Sequence, residues 1–415
     1  MTQHFLRVLV ITCCALTFAA CSKSESNRPV NPGGLGPQGT ESPDQVKDIG
    51  TASSQQKFQP ILDLGKRAVT WLNLVNSHRD NDHRLNLADR NTKNPVPPEK
   101  PSVTSVDLIL QKYNTRVTEI PDAMRPFLID KKDLVETPPI DDETFLKSIR
   151  DINGVYQTAI RWLGEEPYLN DYASNDIYDI RGYYFVQKDI PTNENKLSHF
   201  FTATTADQKT MTDWLISMCH NSEILKDKCQ AELQTATTDE LVFAFYKKYL
   251  ANAQKAYADF FTVNPIRKDI SWSEDKFTIT QNFIDPKVAK VSNWLKTNIE
   301  EEWQNQGFKL IINFVEQNPI SPYLEFVKGV TPHVSGDNWE KITMDPDYSL
   351  DDFNTQWTIR HEFGHILGFP DCYLEFYNKN EKTMMYYTIE PDNLMCAWGG
   401  KLQPSHEQQL RQAYK

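Results

Sequence analysis

The chain has 415 residues, with 44 Lys plus Arg against 56 Asp plus Glu and a formal net charge of −12. That length allows two ordinary domains with sizeable cores. The acidic balance excludes a general nucleic-acid binder, which needs a basic face, so no nucleic-acid partner is expected.

Residues 1–20 read as a signal peptide: Arg7 supplies the positive charge, and residues 8–20 are apolar but too short to span a bilayer. No later run has membrane-spanning length. Phe18-Ala19-Ala20-Cys21 resembles a bacterial lipobox, with Phe18 where leucine is usual. The resemblance implies a lipid on Cys21 and the membrane as a partner through it. Ser22 after the cysteine resembles the pattern sorted to an outer membrane, so a lipoprotein of the bacterial cell envelope is expected. An ordinary signal peptide and a secreted protein are the alternative. Residues 22–56 are rich in Ser, Pro, Gly and Gln, so 21–57 is read as the lipidated cysteine and a flexible linker.

From residue 58 the spacing of Ile61, Leu62, Leu64, Val69, Trp71, Leu72 and Val75 predicts a helix with a broad apolar face. Residues 80–101 are polar, carry Pro95, Pro97, Pro98 and Pro101, and read as a loop. Residues 103–117 fit either a strand pair or a short helix. From 141 to about 263 the pattern is mostly helical. Asp142 starts a helix with Phe145, Leu146, Ile149, Ile152 and Val155 as its apolar positions. Residues 207–218 and 239–261 give two more, the latter with Leu241, Phe245, Tyr249, Ala253 and Ala256 at helical spacing. Residues 183–186 read as a strand. Trp162, Trp214 and the many tyrosines are expected in the core. No motif here names an activity, so 58–265 is a mostly helical domain of unassigned role.

The pattern changes near Asp269. Residues 277–280 alternate as a strand, 286–304 read as a helix, and 308–314, 323–327 and 339–344 are further strands. Residues 350–367 form the next helix. On it His361 and His365 lie one turn apart on one face, where two imidazoles can hold one zinc ion. Gly368 can end the helix in a left-handed conformation, and Pro370 prevents its continuation. The chain can then turn back to offer Asp371 as a third ligand. Three protein ligands leave a position open for water, the pattern of a catalytic zinc site, and Glu362 stands within reach of that water. Residues 371–415 show little regular structure until Ser405 caps a final helix, with Glu407 in its first turn.

The run from His361 to Asp371 resembles the metzincin zinc metallopeptidases, whose signature is H-E-x-x-H-x-x-G-x-x-H or D followed by a methionine turn. Asn393-Leu394-Met395-Cys396 supplies that turn, with Met395 under the metal. Aspartate in the third place and the wording G-F-P-D-C-Y look most like the snapalysin-type branch. The resemblance covers residues 266–415. It implies an α+β fold: a metzincin-type catalytic domain with a mixed sheet, an active-site helix and a methionine turn, preceded by the mostly helical domain.

It also implies an exported zinc-dependent endopeptidase acting on a protein or peptide substrate. His361, His365 and Asp371 would bind Zn2+, and Glu362 would activate a zinc-bound water and pass its proton to the leaving amine. Several metzincins carry a tyrosine two residues after the turn methionine. Here Ala397 stands there, and Tyr373, Tyr386 or Tyr387 could substitute, although packing or surface positions are expected for all three. His333 and His406 are expected on loops or at the surface. Two other classes stand as alternatives: a surface lipoprotein binding module with a relic zinc domain, and a zinc hydrolase of non-peptide amides. The complete ligand set and intact Glu362 argue against a relic.

Of the seven cysteines, Cys13 and Cys14 leave with the signal peptide and Cys21 takes the lipid. The remaining four, Cys219, Cys229, Cys372 and Cys396, suggest two disulfides in an exported protein. Spacing favours Cys219 with Cys229 and Cys372 with Cys396, and the metzincin geometry would bring the latter two together near the metal. The other pairings, which would tie the two regions together, stay open. Zinc binding by Cys219, His220 and Cys229 lacks an evident fourth ligand.

Overall fold

The computed structural model describes residues 53–88, 99–264, 266–274, 277–316 and 318–415. The expected signal peptide, Cys21 with its expected lipid, and nearly all of the expected linker lie outside the described residues.

The amino-terminal region is helical, built on local capping signals and apolar stripes. Helix α1 (Ser54–Ser77) starts with a reciprocal cap between Ser53 and Gln56 and buries Phe58, Ile61, Leu62, Val69, Trp71 and Val75. The undecided stretch after the loop resolves into a short strand, β1 (Ser102–Thr104), and helix α2 (Val106–Glu119), capped by Ser105. Helix α3 (Asp142–Glu165) starts at Asp142 as the pattern suggested, with Asp141 before it as the cap, accepting from the Thr144 amide. It packs along α1.

A short turn of helix, α4 (Leu169–Tyr172), leads to α5 (Arg181–Gln187), α6 (Ile190–Leu197), α7 (Thr205–His220), α8 (Lys226–Gln234) and α9 (Asp239–Phe260). Residues 183–186, read as a strand, belong to α5. Packing overrides the β propensity of that aromatic run: Gly182 lies against Trp214 and Ser217 of α7, while Tyr184 and Val186 are buried. The Cys219–Cys229 disulfide ties α7 to α8.

The carboxy-terminal region carries small sheets with mixed pairing. Strand β2 (Ile270–Ser273) runs antiparallel to β3 (Thr278–Ile284), which pairs in parallel with β4 (Lys309–Val315) across helix α10 (Ala289–Glu302). A second three-stranded sheet has β5 (Tyr323–Phe326) parallel to β7 (Lys341–Met344), with β6 (His333–Ser335) antiparallel on its other edge. Helix α11 (Phe353–Ile366) carries the histidines. One core of Phe283, Leu295, Trp303, Leu310, Ile342, Phe363 and Leu410 supports it.

Residues 371–415 hold more regular structure than their sequence suggested. Strands β8 (Tyr373–Asn378) and β9 (Thr383–Thr388) form a hairpin, followed by α12 (Pro404–Tyr414). Gln403, not Ser405, caps α12, in reciprocal bonds with His406, and Pro404 takes the first turn where a missing N–H does no harm. Strand β1 of the amino-terminal region adds to β9, with Val103 opposite Met385. The overall class is α+β: a helical amino-terminal region followed by small mixed sheets and helices. Among the described residues no helix is long and apolar enough to cross a membrane.

Candidate metal centre

Asp352 caps α11 by accepting from the Asn354 amide. The helix is fixed at its middle by Arg360, which bonds Asn298, Glu301 and Glu302 of α10, and by Trp303 Nε1, which donates to the Arg360 carbonyl. Its end is a Schellman turn: the Phe369 amide donates to Gly364 O and the Gly368 amide to His365 O. Gly368 has φ +87°, the left-handed conformation that glycine adopts without strain. The chain therefore reverses at the expected place and brings Asp371 back beneath the histidines.

His361 Nε2 lies 3.1 Å and His365 Nε2 3.3 Å from Asp371 Oδ1. One ligand atom from each of the three residues falls within 4.8 Å of the others. His361 Nδ1 donates to Leu394 O and His365 Nδ1 to Phe369 O, each at 2.9 Å. A carbonyl only accepts, so both Nδ1 atoms carry a proton and both Nε2 atoms face the carboxylate, the arrangement in which a bound metal ion would take the two Nε2 lone pairs. Exposure is 8% for His361, 5% for Glu362, 4% for His365 and 3% for Asp371. His365 Nε2, both Asp371 oxygens and Glu362 Oε2 are buried without a hydrogen-bond partner. Buried polar atoms are rarely left so, and a convergent set of two imidazoles and a carboxylate fits a cation. This group could hold a metal ion.

Electrostatics follow from burial and proximity. Burial pushes the Glu362 carboxyl up to about 8, opposed by His361 and helped by Asp371. Burial also acts to raise Asp371, but the two imidazoles hold it well below the usual carboxylate range. His365 is drawn down by burial and lifted further by Asp371, ending above its ordinary value.

The segment 393–396 forms the turn under this helix. Asn393 Oδ1 accepts from the Met395 amide, and Leu394 supplies the carbonyl that orients His361. Met395 is buried against Gly364, between the two histidines. The Cys372–Cys396 disulfide and the bond from the Cys372 amide to Met395 O tie this turn to the residue after Asp371.

Other expected positions differ. His333 is buried in β6 and its imidazole lowered by burial, and His406 is buried between Trp303 and Phe369 and pushed down to about 4 by burial. Neither is a loop or surface histidine, because strand and helix packing from distant segments encloses them. Tyr373 and Tyr386 stack at 4.8 Å, while Tyr387 lies under Arg181 in the amino-terminal region. The sequence reading missed Trp357, stacked on His361 at 5.2 Å, and Trp339, 6.4 Å from the His365 ring. The four-residue spacing from Trp357 to His361 on one helix face was a usable signal; Trp339 had none. Comparison with protein-family models, with curated proteins and with solved structures finds no match to this chain.

Proposed function

We propose that the protein is an exported zinc-dependent endopeptidase of metzincin type, with His361, His365 and Asp371 as zinc ligands and Glu362 as the general base. The observation that carries the reading is the orphaned set of buried atoms on His365, Asp371 and Glu362, beside two histidines already oriented by backbone carbonyls. Mixed strand pairing, the helix reversal at Gly368 and the Met395 turn support the metzincin type. Two imidazoles and one carboxylate with no thiolate are a donor set suited to catalytic zinc.

Zinc bound there supplies Lewis acidity, polarising a carbonyl and acidifying a water. Beside the positive charge of a bound ion the buried Glu362 carboxyl would return to its ionised form, and Glu362 Oε2, unpartnered, would then take the proton of the attacking water and deliver it to the amine nitrogen as the peptide bond breaks. The low exposure of the group removes competing water and strengthens that proton transfer. The two disulfides support an oxidising compartment, in keeping with export.

The test is incubation of the purified chain with an unfolded protein, with and without a chelator, followed by zinc add-back. Chelator-sensitive, zinc-restored cleavage is expected. Cleavage indifferent to chelator contradicts the reading.

A further inference from the structure

We propose that Arg161, on a helix of the amino-terminal region, is a positioning residue of the metal centre: it grips the hairpin that follows Asp371 and so braces the third ligand. The proposal rests on the metalloenzyme reading above and deepens it, by giving the helical region a part in the site.

Arg161 leaves α3 and donates through Nη2 to Glu375 of β8 and through Nε to Glu165 at 2.5 Å. Its guanidinium lies 4.8 Å from the centre of the Tyr386 ring and 5.8 Å from that of Tyr373. These two rings stack across β8 and β9. Tyr373 stands two residues after Asp371 and Glu375 four after. A cation held over an aromatic face is attracted to it, more strongly as water is excluded. One planar fork on α3 thus engages both strands of the hairpin at once. Around it, β1 pairs with β9, and α4 packs on β8 with Tyr172 fully buried. The hairpin that follows Asp371 is therefore held by several amino-terminal elements, with β1 pairing Ser102 opposite Tyr386 and the Arg161 guanidinium lying over the tyrosine stack.

The test is zinc affinity of the full chain, measured by competition with a chromophoric chelator, for the parent, Arg161→Gln, Tyr386→Leu and the double variant. Near-ultraviolet circular dichroism confirms folding of each. Each single variant is expected to bind zinc about tenfold more weakly or worse, the range for lost outer support of a ligand. The double variant is expected to be no weaker than the worse single one, since both act through one stack. An arginine that merely balances two carboxylates would lower stability and leave zinc affinity alone. Affinity within about twofold of the parent in folded Arg161→Gln, or additive losses in the double variant, overturns the proposal. Should Arg161→Gln not fold, Tyr386→Leu decides alone, and unchanged affinity there overturns it. A parent that binds no zinc overturns the metalloenzyme reading and this proposal with it.

Discussion

Met395 lies so close against Gly364 that a β-carbon at 364 would run into its sulfur. The glycine lies between the two histidines on α11, directly before His365, and the methionine follows Leu394, whose carbonyl orients His361. Helix and turn thus meet at the one residue small enough to let them. Gly364→Ala should overpack this contact and destabilise the protein by roughly 1–3 kcal/mol. Met395→Leu, which nearly conserves volume, should change stability by less than about 1.5 kcal/mol. Urea unfolding at fixed zinc measures both, and a Gly364→Ala midpoint equal to the parent's would contradict the contact.

The Cys372–Cys396 bridge closes a loop of 24 residues' separation and holds the neighbour of Asp371 against the Met395 turn. Chain-entropy reasoning gives roughly 3 kcal/mol for a loop of this order. Replacing both cysteines with alanine should lower stability by about that amount and weaken zinc binding, because Asp371 loses its tether. Non-reducing peptide mapping checks the pairing, and an unchanged unfolding midpoint would count against the role.

His220 offers a pH-dependent brace within the helical region. Its Nδ1 lies 2.6 Å from Ile224 O and its Nε2 3.1 Å from Asp176 Oδ1, an arrangement that uses both protons of the imidazolium. Burial acts to lower its pKa, but these bonds leave it raised. Asp176, despite burial, is lowered to about 2 by His220 and Lys226. A raised histidine stabilises below its unfolded pKa and loses that contribution as pH rises through the folded value. A lowered aspartate stabilises above its unfolded pKa and loses it as pH falls toward about 2. The pair therefore contributes most in mildly acid solution. In His220→Gln the loss of stability on going from mildly acid to mildly alkaline pH should shrink; an undiminished loss in urea titrations would rule the brace out.

The candidate site was legible because it is local. His361, His365, Gly368 and Asp371 fall within eleven residues, and helix geometry alone dictates that the first two share a face. The Gly368 reversal follows from a residue that tolerates positive φ, as observed. The β8–β9 hairpin was missed although its signal was present: aromatic runs flank Asn378-Lys379-Asn380-Glu381, a fair turn sequence. What could not be read was its third strand, since helices α2 to α11 separate β1 from β9 along the chain. Residues 183–186 misled for the opposite reason, because intrinsic preference pointed one way and packing on α7 the other. His333 and His406 show the same limit: burial by distant segments leaves no local mark.

The most direct measurement is zinc content and hydrolysis of an unstructured protein, read on the same preparations of parent and Glu362→Ala. The account predicts about one zinc per chain in both, and a loss of about a hundredfold or more in hydrolysis for the variant, since a proton carrier is removed but no ligand is. A variant that cleaves as fast as the parent, or a parent that holds no zinc after metal-replete purification, would contradict it.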